Sequence, residues 1–202
     1  MAATADNQPQ TRQRVPASER RDALIDAAIH EFAHGGLHGT PVDKVARRVG
    51  VAQPYVFSLF GSKRELFIAA VERCFGMTIE MFERVAAGYD PATAPEDQPD
   101  VLMAMAAAYV DRLQTDRDLL MLQLHAYAAC DDEVIREHVR DAYARLVNSV
   151  AGMSDADAER IDEFFRYGMS LNVAAAMGVL DLSCGAEWVR EEATAQAEPD
   201  AT

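Results

Sequence analysis

Long apolar runs are missing from this chain, although half of its 202 residues are hydrophobic. No stretch reaches the ~18 uncharged apolar residues that a membrane-spanning helix needs, and the N-terminus lacks the basic-then-apolar pattern of a signal peptide. We therefore expect a cytoplasmic protein that makes no contact with a membrane. No nucleophile–base pair, phosphate-binding glycine loop or pair of carboxylates can be picked out either, so the chain is not expected to be an enzyme.

Cysteine is scarce as well. The three cysteines stand far apart in apolar sequence, which favours buried structural thiols: Cys74, Cys130 and Cys184. Histidines recur every four residues at His30, His34 and His38, a spacing that suits metal ligands on a helix. Gly35 and Gly36 break that helix before the third histidine, and no carboxylate or cysteine completes a set. We predict that the chain binds no metal and no cofactor.

Positive charge is in short supply, because 19 Lys and Arg residues face 33 Asp and Glu residues and the net charge is −14. Neutralisation of phosphates supplies most non-specific DNA affinity, so this balance looks unfavourable for DNA binding. The deficit is uneven, however. Residues 1–75 hold 10 basic and 8 acidic residues, whereas residues 76–202 hold 9 and 25. The basic residues of the first part lie in clusters: Arg12, Arg14, Arg20, Arg21, Lys44, Arg47, Arg48, Lys63 and Arg64.

Apolar residues repeat with helical spacing along most of the chain, and no convincing strand is present. The first three helices are predicted from Ser18 to the Gly35-Gly36 pair, from Pro41 to Gly50, and from Pro54 to Gly61. Further helices are predicted from Ser62 towards Ala87 and over 100–114, 117–130, 132–150, 155–180 and 186–193. We expect residues 1–17 to form a disordered arm and residues 195–202 a disordered tail.

Side chains that favour a helix start precede several of these segments. Ser18 offers a cap for helix one, and Thr40 offers a capping hydroxyl before Pro41, which suits the first helical position of helix two. Pro54 fits only the first turn of helix three. Ser62 and the glutamate three residues later have the spacing of a capping box.

Helices two and three have the spacing of a helix-turn-helix motif. Ala46 is small where the two helices must cross, and Gly50 lies four residues later at the bend. A small shared core is available from Val45, Val49, Val51, Val56 and Leu59. The opposite face of helix three carries Gln53, Tyr55 and Ser58 and is free to enter a major groove.

The run TPVDKVARRVGVAQPYVFSLFGSKRELF, together with the glycine pair that closes helix one, resembles the N-terminal domain of TetR-type regulators. The resemblance covers residues 18–70. Beyond residue 75 it extends only to the number, length and order of the helices. It implies an all-α protein in which a helix-turn-helix DNA-binding domain (18–63) precedes a helical domain for ligand binding and dimerisation (64–194).

The resemblance also implies the DNA contacts: Thr40, Gln53, Pro54, Tyr55, Ser58 and Lys63. Thr40, which caps helix two, and Lys63 are expected to hold phosphates, while glutamine can pair with adenine and tyrosine can meet a thymine methyl group. The chain has Gln53, Tyr55 and Phe57 where lysine, threonine and tyrosine are usual. Because Phe57 lacks the hydroxyl, we place it partly in the core and outside the contact set.

An inducer cavity is implied in the second domain, with these lining residues: Met105, Tyr109, Met121, Leu124, His125, Phe165, Met169 and Asn172. Methionines and aromatics with a few polar groups suit a small hydrophobic effector. A filled apolar core explains the same residues equally well.

A homodimer is expected because members of this family bind near-palindromic DNA as dimers. One apolar stripe on the helix 132–150 and one low-relief face on the helix 155–180 suit a four-helix interface. Its predicted residues are Ile135, Val139, Ala142, Leu146, Gly168, Ala175 and Gly178. Packing of both faces on the protein's own core is the alternative.

The sequence therefore predicts a transcriptional regulator, a repressor that a hydrophobic effector releases from double-stranded operator DNA. An acidic, all-helical adaptor whose first helices bind another protein is the alternative. Such an adaptor would show no salt-dependent DNA affinity.

Overall fold

The computed structural model describes residues 16–96 and 100–180, and these residues form helices and loops without a strand. Eight helices follow in order: α1 (Ala17–Gly39), α2 (Val42–Val49), α3 (Gln53–Phe60), α4 (Lys63–Gly88), α5 (Val101–Thr115), α6 (Arg117–Ala128), α7 (Glu133–Met153) and α8 (Ala158–Met177). The all-α prediction is confirmed. The predicted helix over 186–193, the tail, Cys184 and the arm up to residue 15 with Arg12 and Arg14 lie outside the described residues.

Side-chain caps start five of the helices. A carboxylate accepts a backbone N–H at the beginning of α5, α6, α7 and α8, and the capping residues are Asp100, Asp116, Asp132 and Asp157. The predicted cap of α4 is confirmed, since Ser62 Oγ accepts the N–H of Glu65 at 3.1 Å. These acids also meet the positive end of each helix dipole, which explains part of the acidity of the body.

Two predicted caps are wrong. Ser18 lies inside the first turn of α1, which begins after Pro16 without a side-chain cap. Thr40 does not cap α2 either, because that helix begins after Pro41 without a side-chain hydrogen bond. The Thr40 hydroxyl instead donates to the carbonyl oxygen of Glu31 at 3.0 Å. It therefore holds the end of α1 in place.

The helix α1 is kinked at Gly36, which has φ +62° and ψ −174°. The glycine pair thus interrupts the helix as predicted, and a last turn continues to Gly39. Both glycines are also close to other side chains. A Cβ at Gly35 would lie 2.5 Å from Thr40 Oγ1, and one at Gly36 would lie 2.9 Å from His125 Nδ1.

The hydrophobic core runs without interruption from the first three helices into the body. At its N-terminal end, α4 packs on α1 through Phe67 and Phe32, whose rings meet edge to face at 5.0 Å and are fully buried. Further along α4, Phe82 meets Tyr109 of α5 and Phe164 of α8, at 6.0 and 5.9 Å between ring centroids. A single helix therefore crosses both parts of the molecule.

A second connection joins α1 to α6, and it is the most extensive helix pair in the described part of the chain. Asp118, in the first turn of α6, contacts His30, and His125 on the last turn faces Gly36. None of the helices in residues 16–96 and 100–180 is long and apolar enough to cross a membrane.

Candidate functional site

The outer face of α3 consists of the side chains of this helix that are not buried in the core. Val56 and Phe60 point into the core, with 1% and 7% of their surface exposed. Four residues of the same short helix are exposed: Gln53, Pro54, Phe57 and Ser58. Three of these are predicted contact residues, and the structure brings them together on one solvent-facing surface.

Phe57, which we placed partly in the core and outside the contact set, also lies on this surface. Its side chain is 37% exposed, and it follows Gln53 by one helical turn. It stands outside the predicted contact set because it lacks the hydroxyl that is usual at this position. The four-residue spacing from Gln53 was the signal that could have found it.

Tyr55, a predicted contact, lies at the edge of the face and is half-buried. The guanidinium of Arg20 on α1 stands 6.0 Å from the centre of its ring. Arg21 approaches the ring of Phe60 in the same way at 4.8 Å. These cation–π contacts keep two positive charges beside α3.

The two predicted phosphate-binding residues make contacts within the protein. Thr40 is only 2% exposed and its hydroxyl is bonded to Glu31. Lys63 Nζ donates to the carbonyl oxygen of His38 at 3.2 Å, and partial burial lowers the pKa of this lysine. Both side chains thus fasten the end of α1 to the motif, and the Lys63 ammonium has further N–H groups that could reach a phosphate.

Arginines of α2 add positive charge next to the outer face of α3. Arg47 pairs with Asp43 at 2.9 Å and Arg48 with Glu31 at 3.0 Å. Because both arginines are on the surface, these pairs are weak and can be exchanged for phosphates. Lys44 on the same helix is exposed.

A small cavity lies in the body between α4, α5, α6, α7 and α8. Its volume is about 40 Å³, and aromatic and apolar side chains surround one polar cluster. Tyr109 Oη stands 2.6 Å from Asn172 Oδ1 and 3.1 Å from Gln123 Oε1, and Gln123 Nε2 donates to Tyr127 Oη at 2.7 Å. Burial raises the pKa of Tyr109 to about 12, so its hydroxyl stays protonated.

Half of the predicted effector residues line this cavity, namely Tyr109, Phe165, Met169 and Asn172. The other four do not. Met105 is fully buried in the core, Met121 and Leu124 pack against the core elsewhere on α6, and His125 faces α1. Sequence reasoning missed further lining residues, among them Phe82, Gln123, Tyr143 and Phe164.

An open apolar groove of about 360 Å³ adjoins the cavity on the surface between α7 and α8. Tyr143 and Met169 line both spaces and so form the wall between them. Met169 is 37% exposed, which leaves its unbranched side chain room to move.

The predicted dimer stripe of α7 is buried within the chain itself. Its four residues are at most 6% exposed: Ile135, Val139, Ala142 and Leu146. The alternative, in which they pack on the core of the same chain, is therefore correct for them. On α8, Ala175 is also buried, Gly168 is half-buried and Gly178 is exposed. The apolar surface that remains open on α8 consists of Tyr167, Val173 and Met177, which are 50–60% exposed.

The structure also changes the view of the histidines. His38 lies apart, but Asp118 from α6 joins His30 and His34, and one donor atom from each of these three side chains lies within 4.8 Å of the other two. A carboxylate therefore does complete the set, from a residue that is distant in sequence.

Comparison with known proteins gives the same picture. The family model described as "Bacterial regulatory proteins, tetR family" matches residues 24–70. The transcriptional activator FasR of Mycolicibacterium smegmatis is 40% identical over 60 residues, which are 30% of this chain but only 27% of FasR. The transcriptional regulator BetI of Rhizobium meliloti is 27% identical over 148 residues, 71% of each chain.

Among solved structures, the regulator FadR from Bacillus subtilis in complex with stearoyl-CoA has a TM-score of 0.61 at 19% identity. The match covers 79% of this chain and 87% of that one, so the similarity of fold extends far beyond the helix-turn-helix. Together, these matches show a DNA-binding domain of the tetR family of bacterial regulatory proteins at residues 24–70, followed by a body whose fold is similar to that of FadR.

Proposed function

We propose that the protein is a cytoplasmic, non-catalytic repressor that binds a near-palindromic operator as a dimer and is released by a small hydrophobic effector. The observation that carries the proposal is the exposed face of α3. Three of its side chains, Gln53, Phe57 and Ser58, are exposed to solvent, and basic residues of α1 and α2 lie nearby in an otherwise acidic molecule.

The chemistry of this face fits the edges of bases in a major groove. The Gln53 amide can donate and accept towards adenine, and the Phe57 ring can pack on the methyl group of thymine. Arg20, Arg21 and the arginines of α2 are close enough to the face to meet the flanking phosphates. Because residues 76–202 repel DNA, the affinity depends on these few charges and falls steeply as salt rises.

Selection of bound sequences from random DNA tests the central claim. We expect enrichment of a palindrome, with Gln53→Ala and Phe57→Ala each weakening binding to it by about tenfold, the order expected for one lost base contact. Gln114, an exposed glutamine on α5, provides the control, and Gln114→Ala should bind like the wild type. If no palindrome is enriched, a protein partner replaces DNA as the target.

For the dimer we propose the exposed apolar surface of α8 in place of the buried stripe of α7. Tyr167, Val173 and Met177 follow one another at intervals of four to six residues, and a second copy would remove them from water. We expect sedimentation of the wild type as a dimer and of Val173→Asp as a monomer. Met103→Asp, at an exposed methionine of α5, should stay dimeric.

The effector site is proposed at the cavity beside Tyr109 and Asn172. Its volume of about 40 Å³ is far below the 300–1,000 Å³ of ordinary ligand pockets, so an effector must first open it. Displacement of Met169 joins it to the outer groove of about 360 Å³. The FadR structure contains stearoyl-CoA, which supports the choice of acyl compounds as first probes.

A series of saturated fatty acids and acyl-CoAs should therefore include a compound that raises the melting temperature and releases the operator. Met169→Trp fills the passage and should abolish both effects without unfolding the protein. If the variant responds like the wild type, the effector enters elsewhere.

We propose α4 as the main path of the signal. Phe82 on this helix lines the cavity, while Lys63 at its first residue is bonded to the end of α1 beside the motif. A bound effector favours the tilt of α4 that fits the opened cavity, and this changes the spacing of the two α3 helices in the dimer.

A further inference from the structure

Two histidines and a carboxylate meet at the contact between α1 and α6. His30 Nδ1 lies 2.6 Å from Asp118 Oδ2, and His34 Nδ1 lies 3.8 Å from Asp118 Oδ1. The histidines are one helical turn apart on α1, with 4.5 Å between their ring centroids. Asp118 comes from the first turn of α6. We propose that these three side chains bind a divalent transition-metal ion that ties the DNA-binding part of the chain to its body.

The ligand set suits such an ion. Two imidazoles and one carboxylate bind Zn²⁺, Co²⁺ and similar cations with bonds of about 2.0–2.2 Å, and water fills the remaining positions of a three-ligand site. Ligand atoms around a tetrahedral ion are then about 3.4 Å apart. His30 Nδ1 and Asp118 Oδ2 lie 2.6 Å apart, closer than this value, and one donor atom from each of the three side chains lies within 4.8 Å of the other two. Rotations of the side chains alone would therefore form the site.

One histidine already has the outer hydrogen bond that metal-binding histidines usually make. His34 Nδ1 donates to the carbonyl oxygen of His30 at 2.8 Å, since a carbonyl can only accept. This bond orients the ring and leaves Nε2 with the free electron pair, as in metal sites where the second ring nitrogen is bound to a backbone carbonyl. At His30 the metal takes the place of the proton that Nδ1 shares with Asp118, and this proton is released to water.

Accessibility favours a site that exchanges with free metal. The side chain of His34 is 64% exposed and those of His30 and Asp118 are 37% and 35% exposed, so an ion can enter without any helix opening. The position also gives binding a consequence. A metal held by both helices restrains the movement of α1 against α6, whereas the hydrogen bond alone is a weak restraint at this exposure.

Titration of the full chain, without a histidine tag and after treatment with a chelator, tests the site. Co²⁺ should give visible d–d absorption that saturates at one ion per chain, with a dissociation constant in the micromolar range or below. Zn²⁺ should displace it. At a hundredfold excess over its dissociation constant, Zn²⁺ should raise the melting temperature by about 5–10 °C.

Variants assign the ligands. His34→Gln, at the most exposed position, and Asp118→Asn should each weaken Co²⁺ binding by about a hundredfold or more. Loss of a residue that only hydrogen-bonds to a ligand already lowers metal affinity about 10–100-fold, and loss of a ligand itself should lower it further. His138 and Glu72 form a matched control, since they are a His–carboxylate pair of similar exposure at 3.0 Å that no third ligand joins within residues 16–96 and 100–180. His138→Gln should bind Co²⁺ like the wild type. Absence of saturable binding up to millimolar Co²⁺, or unchanged binding in His34→Gln, overturns the proposal.

The effect on DNA rests on the proposed function and is measured separately. With an operator obtained by selection, saturating Zn²⁺ should change the affinity of the wild type at least threefold and leave that of His34→Gln unchanged. If Co²⁺ binds but the affinity for DNA stays constant, the site exists and only its regulatory consequence is refuted. If no DNA is selected, the cobalt spectrum still decides on the site.

Discussion

Replacement of Gly36 by alanine should destabilise the protein strongly, because it combines backbone strain with overpacking against α6. Gly36 has φ +62° and ψ −174°, a region of the Ramachandran plot that residues with a Cβ avoid. In addition, the new methyl group would stand 2.9 Å from Nδ1 and 3.2 Å from Cε1 of His125. The backbone strain costs about 1–3 kcal/mol and the overpacking about 1–3 kcal/mol more.

Gly36→Ala should therefore lower the free energy of unfolding by about 2–6 kcal/mol. For a chain of this length, each kcal/mol corresponds to about 2–4 °C, so we expect the melting temperature to fall by roughly 4–24 °C. Gly39 is the matched control. It lies in the last turn of the same helix without a positive φ, and nothing stands within 4 Å of a Cβ placed there. Gly39→Ala should be neutral or slightly stabilising.

Urea denaturation followed by circular dichroism measures both variants. A second cycle separates the two costs, because His125→Ala removes the clash but leaves the backbone strain. Gly36→Ala should accordingly be less harmful in the His125→Ala background by about 1–3 kcal/mol. Equal stability of Gly36→Ala and Gly39→Ala, within about 0.5 kcal/mol, would refute the described kink and its contact with α6.

Three further outcomes follow from the buried groups. Burial raises the pKa of Cys74 to about 12, so at pH 8 an alkylating reagent should modify Cys130, which is half-buried, and reach Cys74 only after unfolding. The folded state holds the Cys74 proton more tightly than the unfolded state, with its ordinary pKa of 9.0. The stabilisation that comes from this difference in pKa is therefore complete below pH 9 and is lost as the pH rises towards 12. In Cys74→Ala, the free energy of unfolding should accordingly fall less steeply over this pH range. Asn172→Ala leaves the Tyr109 hydroxyl without its nearest partner and should cost about 1–3 kcal/mol in urea denaturation, whereas the exposed Ser170→Ala should cost little.

The order and bounds of the helices could be predicted because their signals are local. A proline in the first turn, a glycine at the end and an apolar residue every three or four positions act within one helix, and the structure reproduces all eight predicted helices of the described chain to within a few residues. The errors arise where a local signal competes with a distant partner. Thr40 has the chemistry of a cap, but the kink at Gly36 brings the carbonyl of Glu31 within reach of its hydroxyl.

The outer face of α3 shows the same limit, since its contacts with other helices cannot be predicted from the sequence of α3 itself. The resemblance implies that Tyr55 is an outer residue, and Phe57 is placed partly in the core because it lacks the usual hydroxyl. The burial of Tyr55 comes from α1, where Arg20 covers the ring, and no pattern within α3 reports on that contact. Apolar stripes are equally ambiguous. The stripe of α7 is regular, yet periodicity cannot tell whether it packs on the same chain or on a second copy.

The helices α4 and α6 both connect the first three helices with the body, and their geometry implies different roles in the proposed signal. Along α4, 19 residues separate Phe82 in the cavity wall from Lys63 beside the motif, a rod of about 28 Å. A tilt of about 5° therefore moves its far end by roughly 2.5 Å. On α6, only five residues, about 8 Å, separate Gln123 in the cavity wall from Asp118, which contacts His30 of α1. The same tilt moves this contact by well under 1 Å. If the cavity opens as proposed, α4 would amplify the movement while α6 would provide the fixed point, and a metal ion at Asp118 would act by stiffening that point.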